Sequence, residues 1–91
     1  MEKKEDLKGV VFIGSKPFMN YIQAVNMQFS QSDKVTVRAR GKFISRAVDI
    51  AEVMRNKFES KTEAINIGSE TFEKEGKEIR VSIIDIILTK K

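Results

Sequence analysis

The basic side chains of this sequence are concentrated in about one third of its length. Between Gly14 and Val48 there are six basic residues and a single acid, Asp33, whereas the rest of the chain holds 11 basic and 12 acidic residues. A positive segment in a chain of net charge +4 is the pattern of a protein that binds a polyanion such as nucleic acid. The six residues are Lys16, Lys34, Arg38, Arg40, Lys42 and Arg46.

Two short segments place most of these charges at turns. The run Gly14-Ser15-Lys16-Pro17 lies between an apolar run and a helical pattern, where the free backbone N–H groups and the lysine could together hold a phosphate. A nucleotide-binding P-loop needs a second glycine and a Lys followed by Ser or Thr, and that spacing is absent. The run Arg38-Ala39-Arg40-Gly41-Lys42 leads from a predicted strand into a helix, with Arg46 in its first turn. Because parallel strands end at one edge of a sheet, we expect these cations to gather there with Lys16.

Catalytic residue types are scarce. The chain has no His and no Cys, which removes thiolate metal sites, cysteine nucleophiles and the commonest general base. Asp49 and Glu52 stand three apart on the predicted second helix, with no further acid nearby to complete a metal or acid–base site. We interpret Asp49 as offsetting the helix dipole and Glu52 as a partner of Arg55 or Asn56. The sequence predicts a protein that is not an enzyme and needs no cofactor, metal or small-molecule substrate.

Hydrophobic periodicity predicts the elements that position these residues. Alternation predicts strands, and apolar spacings of three and four predict helices. The order β-α-β-α-β-β predicts an α/β fold of the α+β two-layer type. Its mixed four-stranded sheet would carry both helices on one face, and its C-terminal hairpin, turning at 73–77, would project beyond the core. The predicted strands are 10–13, 34–40, 64–68 and 78–89, and the predicted helices are 17–30 and 44–58.

The length of 91 residues suits one compact core. We expect a flexible charged start at 1–8 and a single domain over 9–91. The first six residues are Met-Glu-Lys-Lys-Glu-Asp, without the apolar stretch of a signal peptide, and no apolar run approaches the roughly 20 residues of a membrane helix. We therefore expect a cytoplasmic protein with no membrane partner.

The apolar arc of the predicted second helix is wider than one small sheet can cover. We expect part of this arc to face a second copy of the chain, since an exposed apolar patch usually marks a partner surface. The sequence thus predicts a homodimer. The candidate interface residues are Phe43, Ile50, Val53 and Phe58.

Two separated motifs carry a family resemblance. Residues 11–21 read VFIGSKPFMNY and residues 38–49 read RARGKFISRAVD, and an isoleucine-rich hairpin and Lys90-Lys91 follow. With these motifs in this order, nearly the whole chain resembles the Alba family of small archaeal chromatin proteins. The resemblance implies a β-α-β-α-β-β homodimer that binds duplex DNA, and RNA, with little sequence preference.

The resemblance also implies roles for particular residues. Lys16 matches the lysine of the loop after the first strand, and Arg38, Arg40 and Lys42 match the basic segment that contacts the nucleic-acid backbone. The hairpins would reach toward the minor groove as arms. Residues 69–80 carry a net charge of −1, so any arm contact falls to individual cations, namely Lys74, Lys77 and Arg80.

Our hypothesis is a homodimeric, chromosome-associated architectural protein that neutralises phosphates instead of reading bases. An exposed Lys16 in a tight turn would also be an accessible target for acetylation. One alternative is an RNA-binding module of a ribonucleoprotein, because a basic patch does not distinguish the two duplexes. Another is a small protein-interaction domain whose basic face serves solubility.

Overall fold

The computed structural model describes residues 9–91, and the predicted flexible start at 1–8 lies outside them. Helices and strands follow one another in the predicted order β-α-β-α-β-β. A short 3-10 helix, Gly41–Phe43, leads into the second α-helix. The elements are β1 (Val10–Phe12), α1 (Phe18–Phe29), β2 (Lys34–Arg40), α2 (Ile44–Lys57), β3 (Ser60–Lys74) and β4 (Lys77–Lys90).

The four strands form one mixed sheet in the order β1-β2-β4-β3. β1 pairs with β2 in parallel, and β4 pairs antiparallel with both β2 and β3. The parallel pair continues past β1, since the Ile13 N–H donates to the Arg38 carbonyl at 2.9 Å. The last strand in sequence therefore occupies the middle of the sheet.

Both helices pack on one face of this sheet, as predicted. On β2, Val35, Val37 and Ala39 are buried, whereas the residues between them are at least partly exposed. Ile84, Ile86 and Leu88 of β4 continue the same buried layer. These strand residues pack against buried residues of the two helices to form the core, namely Ile22, Val25, Ala47, Ile50, Ala51 and Met54. The fold is an α+β two-layer sandwich with one sheet face free of helices.

The hairpin of β3 and β4 forms a long arm. Its register runs without interruption from Ala64 opposite Ile87 to Lys74 opposite Lys77, and a bulge between Thr62 and Ala64 marks its root. Glu75 and Gly76 close the tip with φ of 53° and 78°, the left-handed pair that a two-residue hairpin turn requires. The arm extends the molecule to 46 Å in its longest dimension.

The predicted third strand was too short. We expected 64–68, but β3 begins at Ser60 and ends at Lys74. Residues 69–74 are mostly polar and exposed, so no apolar alternation marks them as a strand. Pairing with β4 holds them extended, because every second residue of this edge strand exchanges backbone hydrogen bonds with β4.

Candidate nucleic-acid interface

The loop that carries Lys16 is held by a tyrosine. The phenolic oxygen of Tyr21 accepts hydrogen bonds from the N–H groups of Gly14, at 2.9 Å, and of Lys16, at 3.0 Å. A Cβ on Gly14 would lie 3.4 Å from that oxygen, so glycine keeps this close approach free. The backbone around Lys16 is therefore fixed, whereas its ammonium group is exposed.

Arg46 ties the same loop to the second helix. Its Nη1 donates to the Lys16 carbonyl at 2.6 Å, although the two residues are 30 positions apart. Arg46 is half-buried and uses one of its N–H groups for this bond. Its positive charge therefore lies beside the backbone of Lys16. The structure thus brings two of the predicted cations together, one from each predicted motif.

The arginines of β2 each face a carboxylate. Arg38 donates to Asp85 with two hydrogen bonds, Nε to Oδ1 at 2.7 Å and Nη2 to Oδ2 at 3.0 Å. These bonds raise the pKa of Arg38 above its ordinary value. Arg40 donates to Glu70 of the arm at 2.8 Å, and its side chain is 61% exposed. Arg40 can exchange that partner for a phosphate at little cost, since exposed pairs contribute about 0–1 kcal/mol.

Lys42 continues the positive surface within the 3-10 helix. Its side chain is exposed, and its Nζ lies 5.5 Å from the centre of the Phe43 ring. Such a contact places an ammonium over an aromatic face.

The cations of the arm lie apart from this group. Lys74 and Lys77 are exposed and stand opposite each other at the tip, where they form the last pair of the hairpin register. Arg80 is opposite Thr71, three positions nearer the body. Four glutamates share residues 69–80 with these cations, so the arm has no positive excess.

Glu52 of α2 pairs with Arg55 at the surface, one of the two partners that we predicted for it. Glu52 accepts a hydrogen bond from Nη2 of Arg55 at 2.6 Å, and this bond lowers the pKa of Glu52 from its ordinary value. Across residues 9–91, no group of three acidic side chains is arranged to hold a metal ion. None of the helices in that range combines the length and hydropathy needed to cross a membrane.

Sequence and structure comparisons identify the family. The family model described as Alba matches residues 9–71, more than half of the chain. A protein of Picrophilus torridus named DNA/RNA-binding protein Alba is 42% identical over 87 residues, which cover 91% of this chain and 97% of that protein. The chain belongs to the Alba family. A second relative, DNA/RNA-binding protein Alba 1 of Archaeoglobus fulgidus, is 46% identical over 84 residues, covering 89% of this chain and 94% of its own length.

Solved structures agree with the Alba fold described above. Alba from Thermoplasma volcanium superposes with a TM-score of 0.81 at 44% identity and covers 89% of this chain and 99% of its own. A Trypanosoma brucei Alba protein, at 20% identity, shares the fold with a TM-score of 0.78, covering 91% of this chain and 69% of its own. The predicted fold class and the family resemblance are both confirmed.

The predicted dimer-interface residues of this Alba chain are not all at its surface. Ile50 is 0% exposed and packs in the chain's own core, so it offers no surface to a second copy and this part of the prediction is wrong. Its place on α2 faces the sheet together with Ala47, Ala51 and Met54. The remaining three, Phe43, Val53 and Phe58, are half-buried against the core and stay predictions.

Other apolar residues of the Alba chain are more exposed. Val48 on α2 is 42% exposed, and Ile65 and Ile67 on β3 are 58% and 81% exposed. Ile65 and Ile67 stand opposite Ile86 and Ile84, so they lie on the face of the sheet that the helices cover elsewhere. The alternation of Ile65 and Ile67 in the sequence indicated one face of a strand. The helices do not cover this part of the face, so both side chains are exposed.

Proposed function

We propose that this protein binds double-stranded DNA, and RNA, as a homodimer through contacts to the phosphate backbone, independent of sequence, and acts as an architectural chromatin protein. The observation that carries the proposal is the fixed loop of Lys16, tied to Arg46 and followed along the chain by exposed Arg40 and Lys42. The relatives' names, DNA/RNA-binding protein Alba, support both nucleic acids.

Contacts to phosphates, not to base edges, fit the geometry of these cations. Lys16 and Lys42 are single ammonium groups on flexible stems above a fixed backbone, which suits a point contact to phosphate. Direct readout of guanine commonly uses an arginine whose two N–H groups face the base, and Arg38 already donates two such bonds to Asp85.

The exposed apolar face at the root of the arm supports the homodimer. Ile67 is 81% exposed and lines one depression with Ile44 and Ile84. Val48 is one helical turn from Ile44 on α2, so an apolar strip continues along that helix. We propose that a second copy covers this strip, which doubles the number of cations that one duplex meets.

A salt titration on duplex DNA tests the proposal. If the dimer contacts roughly 6 to 10 phosphates, affinity falls by about three to five powers of ten between about 50 and 200 mM salt. The affinity should not change when the sequence of the duplex changes at constant length. A protein-interaction domain with solubility charge would show no salt-sensitive binding at all, and that outcome would reject the proposal.

RNA is the second candidate ligand, because both relatives carry RNA in their names. Competition between duplex DNA and structured RNA at matched salt separates a chromatin protein from an RNA-binding module of a ribonucleoprotein. An equal or stronger affinity for DNA supports the chromosome-associated role, and displacement by RNA alone supports the ribonucleoprotein.

Lys16 is the residue that we propose as a modification site within this surface. Its exposed ammonium on a fixed backbone is open to acetylation, which would remove one charge from each subunit. Lys16→Gln imitates that change and should make the log–log salt slope shallower by about 0.9 for each phosphate that the protein no longer neutralises. Lys61→Gln, which removes the same charge at the opposite end of the sheet, is the matched control. Equal salt slopes in the two variants would show that Lys16 does not belong to the binding surface.

A further inference from the structure

The sheet face opposite the helices carries one row of residues across all four strands. The register sets Phe12 beside Arg38, Arg38 beside Asp85, and Asp85 beside Asn66. Residues that face each other across neighbouring strands lie on the same side of the sheet. An aromatic ring, a guanidinium, a carboxylate and an amide therefore follow one another over about 14 Å of open surface, at about 4.8 Å for each strand spacing.

Phe12 is the unusual member of this row. An open sheet face is normally polar, yet the Phe12 side chain is 52% exposed on it. The guanidinium carbon of Arg38 lies 5.7 Å from the centre of the Phe12 ring. Asp85 holds that guanidinium by two hydrogen bonds, so the orientation of the planar group beside the ring is fixed. The ordered guanidinium thus lies over the Phe12 ring, and both groups remain partly exposed.

A cleft opens next to this pair. Its volume is about 430 Å³, and its lining includes Phe12, Arg38, Arg40, Phe43 and Ile83. Gly68 stands opposite Ile83 in the register and adds no side chain to the face there. The lining thus combines apolar side chains with two arginines and the carboxylates that pair with them, Asp85 and Glu70. The size of the cleft falls within the range of small-molecule sites.

The margin of the cleft leads to the proposed phosphate-binding residues. Phe43 is in the cleft wall, and the Lys42 ammonium lies 5.5 Å from its ring centre. Arg40, also in the wall, is 61% exposed and paired only with Glu70 among the described residues. A nucleotide whose base enters the cleft would thus find cations for its phosphate at the same place.

We propose that this face of the sheet binds an unpaired base of a single-stranded nucleic acid, which stacks on Phe12 and the Arg38 guanidinium. A base inside a duplex has no free face to offer, whereas unpaired bases stack on aromatic side chains and arginine planes. The apolar strip of Ile44, Val48 and Ile67 is on the other face of the sheet, so a dimer formed through that strip leaves the cleft open. Of the predicted interface residues, Phe43 lines the cleft. The inference rests on the proposed nucleic-acid binding and adds a second class of ligand structure to it.

The test compares four proteins: the wild type, Phe12→Leu, Phe12→Tyr and Met19→Leu. Leucine keeps apolar bulk at position 12 but removes the π-face, and tyrosine restores it. Met19, 58% exposed on α1, supplies the control for a change at an exposed apolar residue elsewhere. The probes are a single-stranded RNA of about 12 nucleotides with one 2-aminopurine, its DNA equivalent and the matching duplexes.

We expect Phe12→Leu to weaken single-strand binding about tenfold and to abolish the quenching of 2-aminopurine, while duplex binding is unchanged. Phe12→Tyr and Met19→Leu should behave as the wild type. The RNA and DNA single strands show which sugar the site accepts.

Two results would overturn the stacking site. One is unchanged single-strand affinity and quenching in Phe12→Leu, and the other is an equal loss of affinity for single strands and duplexes. A wild type that binds none of the probes would instead reject the proposed function itself. Circular dichroism melting of Phe12→Leu separates loss of stacking from loss of folding, and Phe12→Tyr gives an independent answer if the leucine variant is unstable.

Discussion

Lys16 and Lys77 are both exposed lysines beside a tight turn, but their surroundings differ. The loop of Lys16 is braced by the Tyr21 hydroxyl and by Arg46. The turn before Lys77 has no such brace among the described residues, and a Cβ built on Gly76 would meet no atom within 4 Å. The first lysine belongs to a segment with six cations and one acid, whereas the second is in an arm of net charge −1.

This difference shows how one fold can separate two tasks. Cations on a fixed backbone keep their spacing when they meet a row of phosphates, so binding requires little further ordering. On the hairpin, the neighbouring glutamates reduce the positive electrostatic potential around the lysines, and salt screens that potential further. We infer that the body provides most of the charge for binding, and that the arm contributes mainly through the apolar residues at its root.

The largest effect is expected at that root. Ile67→Asp places a charge in the proposed dimer face, and because Ile67 is 81% exposed the subunit itself should stay folded. Sedimentation equilibrium at micromolar concentration should return 10.4 kDa, where the wild type returns twice that mass. DNA affinity should also fall, because a monomer carries half as many cations as the dimer. Ile67→Leu is the control and should remain dimeric; a dimeric Ile67→Asp would contradict the interface.

Removal of body charge should come next. Arg40→Ala with Lys42→Ala takes two cations from each subunit, and the salt slope should fall by about 0.9 for every phosphate left without a cation. Lys57→Ala with Lys61→Ala removes the same charge from the opposite end of the sheet. If the two double variants lose affinity equally, net charge alone drives binding and the local arrangement is irrelevant.

A smaller effect is expected from the brace itself. Tyr21→Phe removes the acceptor of two backbone N–H groups without any change in charge. We expect a stability loss of about 1–3 kcal/mol in thermal or urea unfolding. DNA affinity should drop modestly while the salt slope stays the same, because the number of cations is unchanged. A steeper or shallower slope would mean that Tyr21 does more than hold the loop.

The smallest effect is expected at the tip of the arm. Lys74→Ala with Lys77→Ala removes as many charges as the double change at Arg40 and Lys42, yet it should weaken duplex binding much less. The measurement is the same salt titration. A loss of affinity equal to that of the body variant would show that the arm tip binds phosphates despite its glutamates and would reverse the comparison.

Local patterns predicted the fold well because the sheet buries one face. The alternation of Val35, Val37 and Ala39 marks the inner side of β2, and the helical spacing of α1 and α2 marks what covers it. The outer half of β3 escaped prediction because its residues are solvated on both faces. Its conformation depends on β4, not on its own residues.

The site was predictable in its charges but not in its contacts. The positive segment is visible in the sequence, whereas Arg38 and Asp85 are 47 positions apart and nothing local pairs them. Tyr21 looks like one more member of the apolar stripe on α1, and only the folded loop shows the use of its hydroxyl. Ile50 was predicted for the dimer interface but lies on the side of α2 that the sheet covers, whereas Val48, on the opposite side of the helix, is 42% exposed.

The position of β4 between β2 and β3 affects how the chain can fold during synthesis. β2 and β3 have no direct pairing within the described sheet, so both wait for β4, which leaves the ribosome after them. Until then, β2 exposes an unpaired edge to neighbouring chains. Contacts between residues distant in sequence also slow folding. A nascent subunit should therefore gain its protease resistance in one late step, when β4 enters the sheet, and not gradually as each helix is completed.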